Sequence, residues 1–337
     1  MFVTAISVIL VFGLLIFFHE LGHFMFAKAS KVSVNEFSIG MGPAIFKKQK
    51  GETLYSIRIL PFGGYNMLEE DREKDGCFEN ASFLKKLMIL LAGAAYNIIL
   101  GYILLCIITA MNGYIGTTIV AQFGENAKSS QYLQLGDEIT RLNGHRVRTS
   151  NDIMYELTRD ADGLIDVELI RDNEKITVPV KFEMEEVAEG VNAIRMDFLV
   201  LAKDATFLDY LTYPLNWSLS LVKQVWGSLI DLITGRVPVN QLSGPVGIVS
   251  VIGQASKLGI KPLLMLSAFI SINLGIFNLL PIPILDGGKI LIYFIEKLRG
   301  KPFSEKTYNI MNNVSAAAIL FLVLYATTND VLRLIKG

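Results

Sequence analysis

The segment His19-Glu20-Leu21-Gly22-His23 ends an apolar run that starts at the amino terminus. Histidines four residues apart on a helix project from one face, so both imidazoles can reach the same metal ion. The glutamate between them can then take a proton from a water molecule that the metal activates. The alternative is a set of solvated or hydrogen-bonded polar residues at a helix end. Because two of the three histidines in the chain lie here, a shared metal site is the sharper hypothesis.

The surroundings of this segment favour the metal site. No charged side chain occurs from Met1 to Phe18, and three ionisable residues then follow within five positions. Ionisable groups inside or beside a membrane-length apolar segment are costly and usually serve a function. We therefore predict a metal site within the membrane, with His19 and His23 as ligands and Glu20 as the catalytic residue.

The composition indicates a membrane protein. Hydrophobic residues make up 52% of the 337 residues, and the mean hydropathy is +0.44, well above that of an ordinary soluble protein. A net charge of −1 argues against a nucleic-acid partner, because phosphate contacts need a concentrated basic surface. Two cysteines, Cys77 and Cys106, do not make a disulfide framework and are interpreted as structural bystanders.

Four apolar segments are long enough to cross a bilayer, for which roughly 20 residues suffice. Transmembrane helices are predicted within residues 1–30, 84–114, 261–300 and 301–337. The first segment could instead be a cleaved signal peptide, but it lacks a charged start and a small-residue cleavage site. Cleavage would also remove both clustered histidines, so we expect a retained helix. The predicted fold class is a polytopic α-helical membrane protein.

Residues 31–83 are polar and carry many basic side chains. Two strand-like stretches, 34–45 and 53–59, precede a glycine-rich turn at residues 61–65, which favours a β-hairpin. We place this hairpin or re-entrant region at the cytoplasmic side, in association with the membrane. Its edge could bind an extended peptide through main-chain hydrogen bonds. The alternative is a hairpin that only packs.

Residues 115–184 differ from the rest of the chain in their mixed polarity, short strands and glycine turns. The stretch Leu135–Gly144, a short helix over 151–159 and a hairpin around Asp172-Asn173 resemble a PDZ domain. Such an α+β module offers a groove to an extended peptide. His145 falls in a turn of this region and is predicted to be a surface residue rather than a ligand.

The segment from residue 185 to residue 260 is predicted to be a linker with an interfacial helix and a loop. Residues 208–232 are apolar but interrupted by Pro214, and their two tryptophans suit a helix at the membrane surface better than a span. The glycines and the proline of residues 242–248 indicate a loop or hinge.

Two polar residues within the later spans are also candidates. Asn97 would be costly facing lipid, so it should face a partner helix or a polar cavity, or else serve helix packing alone. Pro281 and Pro283 must break the third span, and irregular backbone at membrane depth is tolerated where it lines a protected cavity. Asp286 follows beside two glycines, which predicts a third metal ligand. The alternative is an interfacial aspartate that caps a helix over residues 287–298.

Basic residues predict the orientation of the chain in the membrane. Those after the first span and those from Lys289 to Lys306 place both of these loops in the cytoplasm. Both termini and the PDZ-like region are then extracytoplasmic. The three predicted ligands all lie toward the cytoplasmic ends of their spans, so segments distant in sequence bring them to a common depth.

Five motifs together resemble the site-2 protease family, the M50-like intramembrane zinc metalloproteases, and in particular the bacterial regulator-of-sigma-E protease type with one PDZ-like domain. The motifs are HELGHF (19–24), PFGGY (61–65), the small-residue motif at 93–97, LSGPVGI (242–248) and NLLPIPILDGG (278–288). The resemblance covers nearly the whole chain. It implies a protein of the bacterial inner membrane with one Zn²⁺ per chain.

The resemblance also implies roles for single residues. His19, His23 and Asp286 match the zinc ligands, and Glu20 matches the catalytic glutamate. Asn278 matches an asparagine that contacts the substrate backbone, and Asn97 matches the asparagine of the second-helix motif, so both are expected to bind substrate. That motif usually has proline where Ala94 stands here, and alanine restores an amide donor that a proline would lack.

The function implied by the resemblance is regulated intramembrane proteolysis. The expected substrates are single-pass membrane proteins such as anti-sigma factors, or remnant signal peptides, with the PDZ-like module acting as a size filter. A membrane scaffold or chaperone without chemistry is one alternative, but it has no need of Glu20. A transporter with a broken helix around an ion site is another, but it leaves the HELGH motif and the PDZ-like insert unexplained.

Overall fold

A computed structural model describes residues 2–336 except 161, 189–190, 237–238 and 240–241, so parts of the predicted linker lie outside the described residues. The helices are α1 (Phe2–Ala29), α2 (Phe83–Asn112), α3 (Ser150–Arg159), α4 (Asp209–Ile233), α5 (Pro245–Leu258), α6 (Ile260–Asn278), α7 (Asp286–Arg299) and α8 (Glu305–Lys336). The strands are β1 (Val34–Lys50), β2 (Thr53–Leu68), β3 (Tyr114–Phe123), β4 (Glu138–Leu142), β5 (His145–Arg146), β6 (Leu164–Arg171), β7 (Glu174–Lys181), β8 (Met184–Ala188), β9 (Val191–Ile194) and β10 (Phe198–Asp204). The chain forms two compact units, which we call the helical unit (Met1–Leu104 with Val225–Gly337) and the sheet unit (Leu105–Gln224).

Four of the described helices, α1, α2, α6 and α8, are long and apolar enough to cross a membrane. This confirms the prediction of a polytopic membrane protein with four spans. The predicted interruption at Pro214 is wrong, because α4 continues through that residue. A proline at this position, in the second turn of α4, removes the one backbone hydrogen bond that an amide at 214 would donate to the Tyr210 carbonyl.

Small residues let the helices of the helical unit approach closely. A side chain at Gly22 in α1 would collide with the Ala92 carbonyl of α2, and one at Gly101 in α2 would collide with Ile272 of α6. The Ser271 hydroxyl of α6 donates to the Asn97 carbonyl of α2 across 2.7 Å. Lipid tails are as apolar as the side chains, so the hydrophobic effect does not hold helices together in a membrane. Close packing and hydrogen bonds of this kind stabilise the helix pairs instead. They hold α1, α2 and α6 together around the histidine segment.

The strands β1 and β2 form a sheet that packs on α1. Residues 36–39 lie between residues 54–57 and residues 64–67, because Phe37 pairs with both Tyr55 and Asn66. Beyond residue 39 the chain turns at Gly40 and Gly42, whose φ angles of 87° and 81° favour glycine. Residues 64–67 therefore form an edge of this sheet.

Aromatic side chains join this sheet to α1. The Phe37 ring lies 5.0 Å from that of Phe24 and 6.3 Å from that of Phe17, centroid to centroid, and Tyr55 lies 5.9 Å from Phe24. Edge-to-face and tilted contacts at these distances are favourable in addition to the area they bury. The sheet is thus fixed over the turn of α1 that carries the histidines.

The first three residues of the motif LSGPVGI form a loop, as predicted, whereas residues 245–248 begin α5. Gly244 precedes the helix, and Pro245 occupies its first turn, where the fixed φ of proline suits a helix start. A side chain at Gly244 would collide with the backbone of α8 at Ala326 and Thr327. The Asp330 carboxylate of α8 accepts a 2.7 Å hydrogen bond from the Gly247 amide. Gly244 is therefore needed for the close contact between α5 and α8 rather than for flexibility.

The sheet unit is built on a sheet with strand order β10-β3-β4-β6-β7, with β5 added to β4. The turn between β6 and β7 is formed by Asp172 and Asn173, which have positive φ angles of 52° and 65°, at the predicted position. The predicted boundary at residue 184 is too early, because β10 pairs with β3 as far as Asp204. Residues 198–202 are apolar and typical of a strand, but their pairing with the distant strand β3 is not visible in the local sequence.

Candidate metal centre

Helix α1 brings His19 and His23 onto one face, one turn apart. Their ring centroids are 4.7 Å apart, and the side chains are only 14% and 12% exposed. The long apolar run of α1 leaves no competing charge on the helix before them. Gly93 of α2 faces both rings, and a Cβ there would lie 2.7 Å from His19 Cε1 and even closer to His23. Only glycine leaves room for both imidazoles at this place.

The third member of the cluster, Asp286, lies at the start of α7, directly after the loop that joins α6 to α7. Helix α6 ends at Asn278, since Pro281 and Pro283 offer no amide hydrogens to continue it. Asp286 is then the first residue of α7 and is buried. The next two glycines lie against the loop carbonyls of Leu279 and Ile282, where a side chain would collide. The sequence Leu-Asp-Gly-Gly therefore folds the loop tightly back onto the start of α7.

Three side-chain atoms converge here. His19 Nε2 and His23 Nε2 are 3.2 Å apart, and Asp286 Oδ2 lies 3.1 Å from His23 Nε2 and 3.5 Å from His19 Nε2. Ligand bonds of about 2.0–2.2 Å in a tetrahedron separate the ligand atoms by roughly 3.3–3.6 Å. Asp286 Oδ2 is buried and accepts no hydrogen bond from elsewhere in the described chain. The distances between the three side-chain atoms and the Asp286 oxygen without a hydrogen-bond donor both fit a zinc ion.

Among the described residues, these three form the one group of histidine, cysteine and acidic side chains close enough to hold a metal ion. His145 lies in the sheet unit, is 57% exposed and contacts Glu156 at 2.8 Å through Nδ1. It is therefore on the surface, as predicted.

The second nitrogen of each clustered histidine has a partner of its own. His23 Nδ1 lies 2.8 Å from the Ile89 carbonyl, which can only accept, so Nδ1 carries the proton and Nε2 offers a lone pair. His19 Nδ1 lies 3.3 Å from the Asn97 amide. Asn97 Oδ1 is buried without a donor, so the amide rotated by 180° would accept the His19 Nδ1 proton through that oxygen.

The two asparagines expected to bind substrate have different surroundings. Asn97 has no exposed surface and faces His19, so a direct contact with substrate, as predicted, does not fit this arrangement. Asn278 is half-buried at the last turn of α6, just before the proline-broken loop. No hydrogen bond joins Asn278 to the clustered histidines or to Asp286 in the described chain.

Glu20 has a partner that the sequence did not reveal. The Asn66 amide of β2 donates to Glu20 Oε2 across 2.7 Å and to the Glu20 main-chain carbonyl across 2.8 Å. The glycine-rich motif just before Asn66 indicated a turn near the membrane, but the residue that would reach Glu20 depends on strand register. The centre thus consists of a metal-binding cluster and an adjoining, hydrogen-bonded glutamate.

Four membrane-length helices with a largely buried cluster of two histidines and one aspartate, beside a glutamate, are the arrangement expected of a membrane-embedded metalloprotease. Peptidase family M50 matches residues 7–322, which is nearly the whole chain. The chain therefore belongs to peptidase family M50.

Several relatives are similar to the chain over almost their full lengths. A Clostridium acetobutylicum protein is 33% identical over 98% of this chain and 98% of its own length. The zinc metalloprotease RasP of Bacillus licheniformis and the regulator of sigma-W protease RasP of Bacillus subtilis are each 30% identical, over 98% of this chain and 99% of theirs. The chain is accordingly an intramembrane zinc protease of regulated proteolysis, and the predicted family, enzyme class and cofactor are confirmed.

Proposed function

We propose that this protease hydrolyses a peptide bond within or beside the transmembrane segment of a single-pass membrane protein. The substrates would be anti-sigma-factor-like proteins or remnant signal peptides. The observation that carries the proposal is the convergence of His19, His23 and Asp286 beside Glu20 on a membrane-length helix. A soluble peptide would have no reason to reach a cluster buried among these helices.

In this proposal each residue of the centre has one role. His19, His23 and Asp286 hold the zinc ion, which when bound supplies the Lewis acidity that peptide hydrolysis needs. Glu20 takes a proton from the attacking water and returns it to the leaving amine. The products are a new carboxyl terminus and a new amino terminus, and Glu20 ends the cycle in its starting protonation state.

Asn97 and the Ile89 carbonyl would position the histidines rather than touch the substrate. Each binds the Nδ1 side of one imidazole, which leaves both Nε2 atoms directed at Asp286. Partners of this kind fix the tautomer and the ring orientation of a metal-binding histidine. Ala94 does not disturb this arrangement, since α2 continues through it and still brings Asn97 to His19.

A transmembrane substrate must unwind before it is cut, because a helix hides its carbonyls in hydrogen bonds. The edge formed by residues 64–67 would hold the unwound segment by strand pairing. Its position supports this role, since a Cβ at Gly64 would lie 3.0 Å from Glu20 Cγ. Asn278, at the end of α6 just before the loop with the two prolines, would bind the main chain of the same substrate segment.

The sheet unit would act as a PDZ-like filter that admits only substrates already trimmed by another protease. Its sheet ends in the edge strand β10, as a peptide-binding module requires. By the distribution of basic residues, both termini and this unit would be extracytoplasmic, in a bacterial inner membrane, with the metal centre near the cytoplasmic side. Deletion of residues 115–204 should allow cleavage of untrimmed substrates, and continued refusal of them would end the filter hypothesis.

Substitution of Glu20 tests the central proposal. Glu20→Gln should retain zinc but lower kcat for a transmembrane test substrate by about 10²–10⁴-fold, the usual contribution of a general acid–base group. Glu70→Gln, at an exposed glutamate of the same unit, is the matched control and should behave like wild type. Cleavage by Glu20→Gln at the wild-type rate would remove Glu20 from the mechanism. A wild-type protein purified without zinc would favour the scaffold instead.

A further inference from the structure

Asn66 makes a double contact with Glu20. Its Nδ2 lies 2.7 Å from Oε2 of the Glu20 carboxylate and 2.8 Å from the Glu20 main-chain carbonyl. An asparagine amide has two N–H donors, so one group can serve both acceptors at once. The two bonds tie the carboxylate to the backbone of its own residue and thereby restrict the side-chain torsions in between.

The orientation of the Asn66 amide is fixed by its partners. With nitrogen and oxygen exchanged, Asn66 Oδ1 would face two oxygen atoms that have no proton to give when Glu20 is ionised. In the observed orientation Oδ1 is buried and has no donor in the described chain. A buried amide oxygen without a donor is unfavourable, so an apolar residue would suit the packing better. The retained asparagine is best explained by the two bonds that it makes to Glu20.

The fold places Asn66 on a second element, the sheet of β1 and β2, which packs on α1. It pairs with Phe37 in the sheet, and Phe37 packs on Phe17 and Phe24 on either side of the glutamate. Gly64, two residues earlier on the same edge, leaves space for the Glu20 side chain. Asn66 therefore approaches Glu20 from a second element that is packed against α1, and packing of this kind can hold a flexible side chain in place.

We propose that Asn66 is a positioning residue that holds the Glu20 carboxylate in the orientation needed for proton transfer. The inference rests on the proposed function of Glu20 and deepens it. Proton transfer requires the base within hydrogen-bond distance and at the correct angle, so a freely rotating carboxylate reacts more slowly even when the metal is bound. Asn66 lies on the edge expected to receive the substrate strand. The same edge would therefore both pair with the substrate and orient Glu20.

Three variants and one control test this role in the full-length protein. Asn66→Ala removes both donors, Asn66→Asp replaces them with a carboxylate that repels Glu20, and Asn66→Gln keeps the donors on a longer side chain. The control is Asn80→Ala, because Asn80 is an exposed asparagine of the same unit whose side-chain amide donates to the Arg72 carbonyl across 2.8 Å, away from the edge at residues 64–67. Each variant is assayed for kcat and KM on a transmembrane test substrate in detergent micelles, and for zinc content.

The expected result is a loss in kcat with little change in KM. Asn66→Ala should lower kcat by about 10–100-fold, as for other residues that orient a reacting group, and Asn66→Asp by more. Asn66→Gln should recover part of the loss, KM should stay within about twofold of wild type, and zinc should stay at about one ion per chain. Asn80→Ala should match wild type. In the Glu20→Gln background, Asn66→Ala should have no further effect on kcat.

Other outcomes overturn the inference. If Asn66 only anchors the strand, KM and hydrogen exchange in residues 64–68 will rise while kcat stays unchanged. If Asn66→Ala and Asn66→Asp both fold and turn over at the wild-type rate while Glu20→Gln is inactive, Asn66 fails and the proposed function stands. If Glu20→Gln is itself active, both fail. Loss of zinc in Asn66→Ala would assign the residue to metal binding instead.

Discussion

Two buried aspartates, one in each unit, stand beside a glycine in the short sequences Leu135-Gly136-Asp137 and Leu285-Asp286-Gly287 but have opposite environments. In the sheet unit, the Asp137 carboxylate accepts two hydrogen bonds from the Arg171 side chain, at 2.8 and 2.6 Å. It accepts a third from the main-chain amide of Gln134 at 2.7 Å. In the helical unit, Asp286 Oδ2 accepts no hydrogen bond from elsewhere in the described chain and faces two imidazole nitrogens. One carboxylate is fully occupied by protein donors, and the other is not.

The difference separates a structural charge from a functional one. A buried carboxylate persists only where donors or a cation replace the water it has lost. Arg171 supplies both charge and fork geometry to Asp137, so that pair stabilises the turn before β4 and needs nothing else. Asp286 lies among nitrogen lone pairs, and a divalent cation is the partner that satisfies all three atoms at once. The number of donors around a buried acid therefore predicts its role.

Substituting each aspartate by asparagine gives the largest expected contrast. Wild type and Asp137→Asn should each bind about one zinc ion per chain, and Asp286→Asn should retain less than about a tenth of that. Asparagine is a neutral and weaker ligand, and it leaves the two histidines as an incomplete set. Elemental analysis of purified protein measures this directly. Full zinc content and full activity in Asp286→Asn would show that Oδ2 is not a ligand.

Removing the Asp137 side chain should instead reduce the stability of the sheet unit. Asp137→Ala leaves Arg171 without its partner, a change that costs about 3 kcal/mol when the charge is largely buried. Arg171 is 21% exposed, so water offsets part of the loss and values above this are not expected. Hydrogen exchange of residues 114–182 in the full-length protein reports the change. Glu174→Ala, at an exposed position in the same hairpin, is the control, and zinc content should not change in either variant.

Substitution of Asn97 tests whether the residues that orient the metal ligands also contribute to zinc binding. Asn97→Ala should lower zinc affinity by about 10–100-fold, because His19 loses the partner that fixes its ring. Competition with a chelator measures the affinity without any need for activity. Asn273→Ala in α6 is the control, since that amide binds the Phe269 carbonyl of its own helix. An unchanged zinc affinity in Asn97→Ala would show that Asn97 serves only helix packing.

Much of the helical unit could be predicted from the sequence, because its signals are local. The four spans follow from long stretches without charge, and the break before Asp286 follows from two prolines that cannot donate hydrogen bonds. His19 and His23 needed only the helical period. The convergence of Asp286 on them was predicted from depth in the membrane, and the structure brings the three side chains together.

The residues that the sequence analysis missed depend on register and on contacts between distant elements. Asn66 reaches Glu20 only because Phe37 pairs with two separate parts of β2, which no local pattern reveals. Asn97 was expected to face a partner helix or a polar cavity, but its contact with His19 depends on how α1 and α2 pack, which the motif does not show. The strand β10 was missed because it pairs with β3, which lies far earlier in the chain, and no local pattern shows that pairing.

Asp330 offers the smallest and sharpest test of the rule that donors around a buried acid reveal its role. It is buried in the helical unit, like Asp286, yet it accepts a hydrogen bond from the Gly247 amide at the start of α5. Asp330→Ala should destabilise the contact between α5 and α8 by about 1 kcal/mol, the usual effect of losing a helix cap, and leave zinc content unchanged. Asp330→Asn keeps an acceptor oxygen and should lose less. Thermal unfolding in detergent and hydrogen exchange at residues 245–250 measure both, and a loss of zinc in Asp330→Ala would break the rule.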